Sequence, residues 1–209
     1  MHVVLPVVVA DDRECAVSLG DALVAGGLPL AEVTFRTAAA PDVIRVLAQR
    51  GDILVGAGTV LTPDQVDTAV DAGATFIVSP GLSRAVVTRC LERGVLAIPG
   101  AVTATEVQAA LELGLHTVKF FPAESAGGPA AISALAAPFA GVSFVPTGGI
   151  NATNIDSYLA LPSVAAVGGS WMVPRSLVHS HDVAGLVDLI ASVTIQVKKS
   201  RQVENSRPR

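Results

Sequence analysis

Lys119 is the only lysine among the first 197 residues of a 209-residue chain, and it lies in the stretch His116-Thr117-Val118-Lys119-Phe120-Phe121-Pro122. An amine desolvated in an apolar cavity favours its neutral form, and a neutral amine attacks carbonyl carbon. The stretch therefore allows a Schiff-base nucleophile. It equally allows a core lysine paired with a carboxylate such as Glu32 or Glu124, and the residues alone leave both open. A second chemical cluster is Glu32-Val33-Thr34-Phe35-Arg36-Thr37. Two-residue steps put Glu32, Thr34 and Arg36 on one face of an extended segment. Burying an acid and a guanidinium so close together is costly unless they are paired or used, so a plain ion pair between them is the structural alternative. Val55-Gly56-Ala57-Gly58-Thr59 offers close backbone approach to a ligand and a hydroxyl, and Ile77-Val78-Ser79-Pro80-Gly81 is a turn whose Pro80 can wall a pocket. Finally, Thr147-Gly148-Gly149 and Gly168-Gly169-Ser170 place paired glycines at two further segment ends. Backbone amides there can meet an anion without side-chain obstruction.

These groups need a frame that brings distant segments together. The lysine stretch is rich in β-branched and aromatic residues and ends at proline, so it reads as a strand with Thr117, Lys119 and Phe121 on one face. Buried-strand runs recur at Val3–Val9, Leu30–Phe35, Ile53–Ala57, Thr75–Ser79, Val95–Ile98, Val142–Pro146 and Val164–Val167. Helical patterns separate them: Arg13–Ala25, with Asp11 and Asp12 as N-cap candidates and Gly26-Gly27 at its end; Ala39–Gln49; Pro63–Ala72, capped by Thr62; Ser83–Arg93; Thr103–Leu113; Pro129–Ala136; Ala152–Leu159; and Val183–Gln196. Eight strands alternating with helices demand parallel pairing through crossovers, which predicts a single-domain α/β (β/α)8 TIM barrel over residues 1–196. An open doubly wound sheet would carry its glycine fingerprint after an early strand, whereas here the glycine pairs follow the last two. In a barrel, strand exits at one end carry the reactive groups, which is where all the clusters above fall.

Composition narrows the class. Hydrophobic residues make up 51% and charged residues 15%, which suits a sheet covered on both faces. No apolar run reaches the roughly 18 residues of a membrane span, and Val3–Val9 has no basic segment before it, so it reads as a strand and not as a leader. The net charge is −4, and the body should not attract nucleic acid. Residues 197–209 hold five Lys/Arg against one Glu and read as a solvated, disordered end. Cys15 and Cys90 are isolated thiols that suit a reducing cytoplasm, and His2, His116, His179 and His181 are too scattered to suggest a metal.

Together the motifs closely resemble those of the 2-keto-3-deoxy-6-phosphogluconate (KDPG) and 4-hydroxy-2-oxoglutarate (KHG) aldolase family. The blocks are Ala25-Gly-Gly-Leu-Pro, Glu32-Val-Thr-Phe-Arg-Thr, Val55-Gly-Ala-Gly-Thr-Val, Ile77-Val-Ser-Pro-Gly-Leu, Ile98-Pro-Gly, Lys119-Phe-Phe-Pro-Ala-Glu, Phe144-Val-Pro-Thr-Gly-Gly-Ile and Val167-Gly-Gly-Ser-Trp, in family order. The resemblance implies a class I lyase that cleaves KDPG in the Entner–Doudoroff pathway, with Lys119 as the Schiff-base lysine and Glu32 as the acid/base. It implies Arg36 and Thr59 on the substrate carboxylate, Pro80 and Phe121 around the imine, Thr147 on a hydroxyl, and Gly148, Gly149, Gly169 and Ser170 on the phosphate. It further implies a cytoplasmic homotrimer acting on a small molecule, with no cofactor, metal, membrane or nucleic acid. Two segments depart from the pattern: Val9-Ala10-Asp11-Asp12, where some relatives carry an arginine, and everything after Trp171. Three rival readings differ in what they demand. A galactonate-series aldolase differs in a few loop contacts, a barrel isomerase or epimerase has no need of the lysine, and a non-catalytic barrel only binds sugar acids.

Overall fold

Parallel pairing follows directly from the alternation of strands and helices. The computed structural model describes the backbone of residues 3–205 and the side-chain surroundings of residues 4–199; residues 206–209 of the basic end lie outside the described residues. The strands are β1 Val3–Val8, β2 Leu30–Thr34, β3 Leu54–Gly58, β4 Phe76–Val78, β5 Leu96–Ile98, β6 Thr117–Phe120, β7 Ser143–Pro146 and β8 Ala166–Gly169. The helices are α1 Cys15–Ala25, α2 Ala40–Arg50, α3 Pro63–Asp71, α4 Arg84–Glu92, α5 Ala104–Glu112, α6 Gly128–Ala136, α7 Ile155–Leu159, α8 Arg175–His179 and α9 Val183–Asn205. Strand β1 pairs with both β2 and β8, so the first and last strands adjoin in one six-stranded sheet of order β5-β4-β3-β2-β1-β8. Strands β6 and β7 form a second, two-stranded sheet.

The architecture is (β/α)8-like, but the ladder is not continuous around the eight strands. Because β5 is only three residues long, its partner in the lysine strand is met just beyond its end, by the bridge from Gly100 to Lys119. The Lys119 amide donates to the Pro99 carbonyl (2.8 Å), and the Ala101 amide donates to the Lys119 carbonyl (2.9 Å). Isolated bridges Phe144–Val164 and Thr147–Gly168 span the other seam, between β7 and β8.

Strand alternation sorts the core into two parts. Outward residues such as Val8, Ala31, Val33, Val118 and Phe120 pack with the helices, where Leu19, Leu23, Ile44 and Leu47 are fully buried. Inward residues Leu5, Phe76, Val78, Ile98 and Val145 fill the interior as a separate cluster. Lys119 is in register with Val145, and Glu32 with Val7, so both charged residues project to the inner side. The Thr62 cap is in place, its hydroxyl accepting from the Gln65 amide at 3.2 Å, and Thr103 forms a full capping box with Glu106. Asp12 accepts from the Cys15 amide at the head of α1.

The C-terminal region departs from the sequence expectation. Helix α8, between Pro174 and Ser180, was not expected, because five residues are too few to show a period. Helix α9 continues past Gln196 to Asn205, so the start of the basic segment is helical and not extended chain. Val197 is 7% exposed, which carries the packed face of α9 beyond the expected boundary. The Thr194 hydroxyl reaches the Gly26 carbonyl at 3.1 Å, fastening this helix to the end of α1.

Candidate active site

Strands β2 and β6 are 87 residues apart in sequence, yet Lys119 Nζ lies 3.2 Å from Glu32 Oε1. The two side chains are 7% and 1% exposed. The pairing left open by the sequence is thus settled in favour of Glu32; Glu124 is engaged elsewhere, accepting from the Tyr158 hydroxyl. Removing two charges from water costs several kcal/mol per ion, so a buried pair is weak evidence for stability and better evidence for use. The second carboxylate oxygen, Oε2, is buried with no hydrogen-bond partner among the described residues. A carboxylate held against an amine with one oxygen free is arranged to exchange protons with a third group.

The rest of the site is built around this pair. The Phe121 ring centroid stands 5.2 Å from Lys119 Nζ, on the face that strand alternation predicts. The far edge of that ring lies against Gly148, where an added Cβ would stand 3.3 Å from it. Gly148 and Gly149 have φ of +101° and +80°, a region open to glycine at no steric cost. Their carbonyls are tied to protein donors, the Glu124 amide and the Asn154 side-chain amide, each at 3.1 Å. At the exit of β7 the Thr147 hydroxyl is buried and has no partner among the described residues. Thr59, just beyond β3, has φ +57°, which is a genuine outlier for a β-branched residue.

Arg36 does not pair with Glu32. Its Nε donates to the Thr34 hydroxyl at 3.3 Å, and that hydroxyl donates to the Val8 carbonyl at 2.9 Å. The guanidinium lines a cavity of about 300 Å³ together with Thr37, Ser170 and Arg175. Pro80 stands beyond β4, its carbonyl 2.0 Å from where a Cβ on Gly100 would sit, so the chain after β5 passes directly over this turn.

The strand glycines have a different meaning from the one the sequence suggests. Added Cβ atoms would stand 2.3 Å from the Phe76 ring at Gly56 and 2.1 Å from Glu32 Oε1 at Gly58. Both glycines therefore make room for neighbouring side chains. Gly169 likewise accommodates the Trp171 ring, 1.9 Å from its would-be Cβ. Trp171, whose Nε1 is buried without a partner among the described residues, went unassigned at the sequence level, as did Thr34. The signal for Thr34 was available in its place between Glu32 and Arg36. Trp171 carried only the hint of an aromatic residue directly after a glycine pair. Among the described residues, no group of three or more His, Cys, Asp and Glu is placed to hold a metal ion.

A family model described as KDPG and KHG aldolase matches residues 1–189. The chain belongs to the KDPG and KHG aldolase family. It is 49% identical over 195 residues to the 2-dehydro-3-deoxy-phosphogluconate aldolase of Treponema pallidum, covering 93% of this chain and 92% of that one. It is 46% identical over 180 residues to the KHG/KDPG aldolase of Escherichia coli, covering 86% and 84%. A crystal structure of the KDPG aldolase of Legionella pneumophila, with pyruvate captured as a covalent carbinolamine, superposes with a TM-score of 0.88 at 41% identity, covering 91% and 93%. Membership of this aldolase family agrees with a lone amine, a carboxylate and a glycine-lined exit meeting at one end of the strands.

Proposed function

We propose that this chain is a lyase that cleaves KDPG to pyruvate and glyceraldehyde 3-phosphate through a Schiff base on Lys119. The observation that carries this reading is the buried 3.2 Å contact between Lys119 and Glu32, with Glu32 Oε2 left without a partner. The amine adds to the C2 ketone of the substrate to give a carbinolamine. Glu32, having taken a proton from the Lys119 ammonium before the addition, protonates the leaving hydroxyl, which departs as water and leaves a protonated imine. Returned to its carboxylate form, Glu32 takes the proton from the C4 hydroxyl. The C3–C4 bond breaks, its electron pair moves into the imine to form an enamine, and C4 leaves as the aldehyde of glyceraldehyde 3-phosphate. Protonation at C3 and hydrolysis of the imine release pyruvate and restore the amine.

The remaining groups position the substrate. Arg36 holds the carboxylate, a task suited to a guanidinium fork, with Thr59 beside it. Phe121 and Pro80 pack on the carbon chain, and Thr147 meets a substrate hydroxyl. Gly148, Gly149, Gly169 and Ser170 receive the phosphate. KHG, which shares the keto-acid half, is cleaved at the same amine. An isomerase would have no use for a lysine so placed. The chain works as a homotrimer, and two buried thiols, Cys15 and Cys90, each pushed up to about 11 by burial, suit a cytoplasmic setting.

Borohydride reduction in the presence of pyruvate tests the reading. The expected product carries one reduced pyruvyl group, mapped by mass spectrometry to Lys119, and Lys119→Ala loses activity by roughly 1,000-fold or more. An unmodified Lys119, or activity that survives Lys119→Ala, overturns it.

A further inference from the structure

We infer that Arg175 binds the phosphate of the substrate and sets the preference for a phosphorylated sugar acid over its unphosphorylated counterpart. This inference rests on the aldolase reading above and adds a residue to it that neither the motifs nor the glycine pairs supply.

The cavity beside Arg36 joins two walls of the site. Arg36 and Thr37 come from the end of β2, Ser170 from the end of β8, and Arg175 from the start of α8; three valines complete the lining. Its volume, about 300 Å³, is at the small end of what ligand pockets offer. A KDPG molecule brings a carboxylate and a phosphate, the latter carrying about −1.5 to −2 at neutral pH. The charge of Lys119 is offset by Glu32 at 3.2 Å, and the aldolase reading gives Arg36 to the carboxylate. Without another cation the phosphate would meet only amides and the Ser170 hydroxyl, in a chain of net charge −4. Arg175, with its side chain 64% exposed and its charge partly offset by Asp11, is the second guanidinium in the same cavity.

Its geometry suits the task. Arg175 Nε donates to Asp11 Oδ2 at 2.8 Å, and Nη2 donates to Asp11 Oδ1. This forked pair fixes the guanidinium plane while leaving Nη1 outside it. Asp11 follows β1 and Arg175 opens α8, both within the residues that the family model matches. The two strand-end segments thus meet in one contact on the cavity rim. Val9, at the same strand end, lines the cavity with an apolar side chain, so the cation is contributed from the α8 wall.

The test compares cleavage of KDPG with that of unphosphorylated 2-keto-3-deoxygluconate, using wild type, Arg175→Gln and Arg175→Lys, with borohydride trapping of pyruvate on each. Arg175→Gln is expected to lower kcat/KM for KDPG by roughly 10- to 100-fold, chiefly through KM, as befits a lost charge-assisted contact. Cleavage of the unphosphorylated acid and pyruvate trapping at Lys119 should stay at wild-type levels, and Arg175→Lys should recover part of the loss. The wild-type KM for KDPG should also rise more steeply with added salt than that of Arg175→Gln. Equal losses on both substrates, or no loss on KDPG, overturn the inference while leaving the aldolase reading intact. Failure of the wild-type protein to trap pyruvate removes both.

Discussion

Thr59 holds φ +57° in a region that costs a β-branched residue of order 1–3 kcal/mol. Such strain persists where the surrounding structure fixes it, and here it falls at the exit of β3, on a residue that the proposed reading assigns to the substrate carboxylate. Thr59→Gly would relieve the strain, partly offset by the greater freedom of glycine in the unfolded chain, which costs about 0.5–1 kcal/mol. The expected outcome is a variant more stable by about 1 kcal/mol in urea titration, with a raised KM for KDPG. A variant that is less stable and fully active would show that the hydroxyl serves the fold alone. At this scale the sequence was readable wherever residue type decides the chemistry. Lys119 and Phe121 share a face as strand alternation required, because period-two geometry leaves no freedom over three residues, whereas the choice of Glu32 over Glu124 as the lysine's partner was not local. The partner of Arg36 was not readable. Its guanidinium turns to Thr34 because Glu32 is taken by a lysine 87 residues away, and nothing local announces that.

Among the elements, α5 shows how strongly local signals can fix a boundary. The Thr103 hydroxyl accepts from the Glu106 amide at 3.3 Å, while Glu106 Oε2 accepts from the Val102 and Thr103 amides, each at 2.9 Å, and from the Thr103 hydroxyl. Burial pushes the Glu106 carboxyl up, but the Val102 amide, the Thr103 hydroxyl and the Thr103 amide outweigh it and hold the group below its ordinary value. A carboxyl held low in the folded state adds stability at pH above its unfolded value, near about 4.3, and that contribution is lost as pH falls through the folded value. Thr103→Ala should therefore cost about 1 kcal/mol at pH 7, and the gap to wild type should narrow below about pH 4. Urea unfolding at pH 7 and pH 3 checks this; a gap that widens in acid would contradict it. Caps of this kind made α3, α4 and α5 legible, their starts falling within one residue of expectation. Helix α8 lacks both a side-chain cap and the length to show a period. The room that the inward glycines of β3 leave for Phe76 and Glu32 was not legible, because a strand's own residues do not reveal what packs across the interior.

For the whole molecule, eight alternations were enough to predict parallel strands returning to the first, and β1 does lie between β2 and β8. The two breaks in the ladder were not predictable: three-residue β5 meets β6 through the Gly100–Lys119 bridge, and β7 meets β8 through the isolated bridges Phe144–Val164 and Thr147–Gly168. Large apolar side chains remain on the outside of the single chain, including Leu54 at 53%, Leu61 at 55%, Leu91 at 55% and Leu96 at 56% exposed. Such a surface suits a protein that buries more of itself by association. Sedimentation velocity at micromolar concentration is expected to give three times the 21.2 kDa chain mass; a single-chain mass would set the trimer aside. Among the described residues no helix is long and apolar enough to cross a membrane.

The seam at Lys119 has a consequence of its own. The main chain of the residue proposed to carry the reactive amine is also the stitch between the two sheets, through its bonds to Pro99 and Ala101. Loosening that join would carry the nitrogen away from its carboxylate and open its greasy shelter to water in the same motion. On the proposed reading, the covalent chemistry and the closing of the strands depend on the same two main-chain bonds.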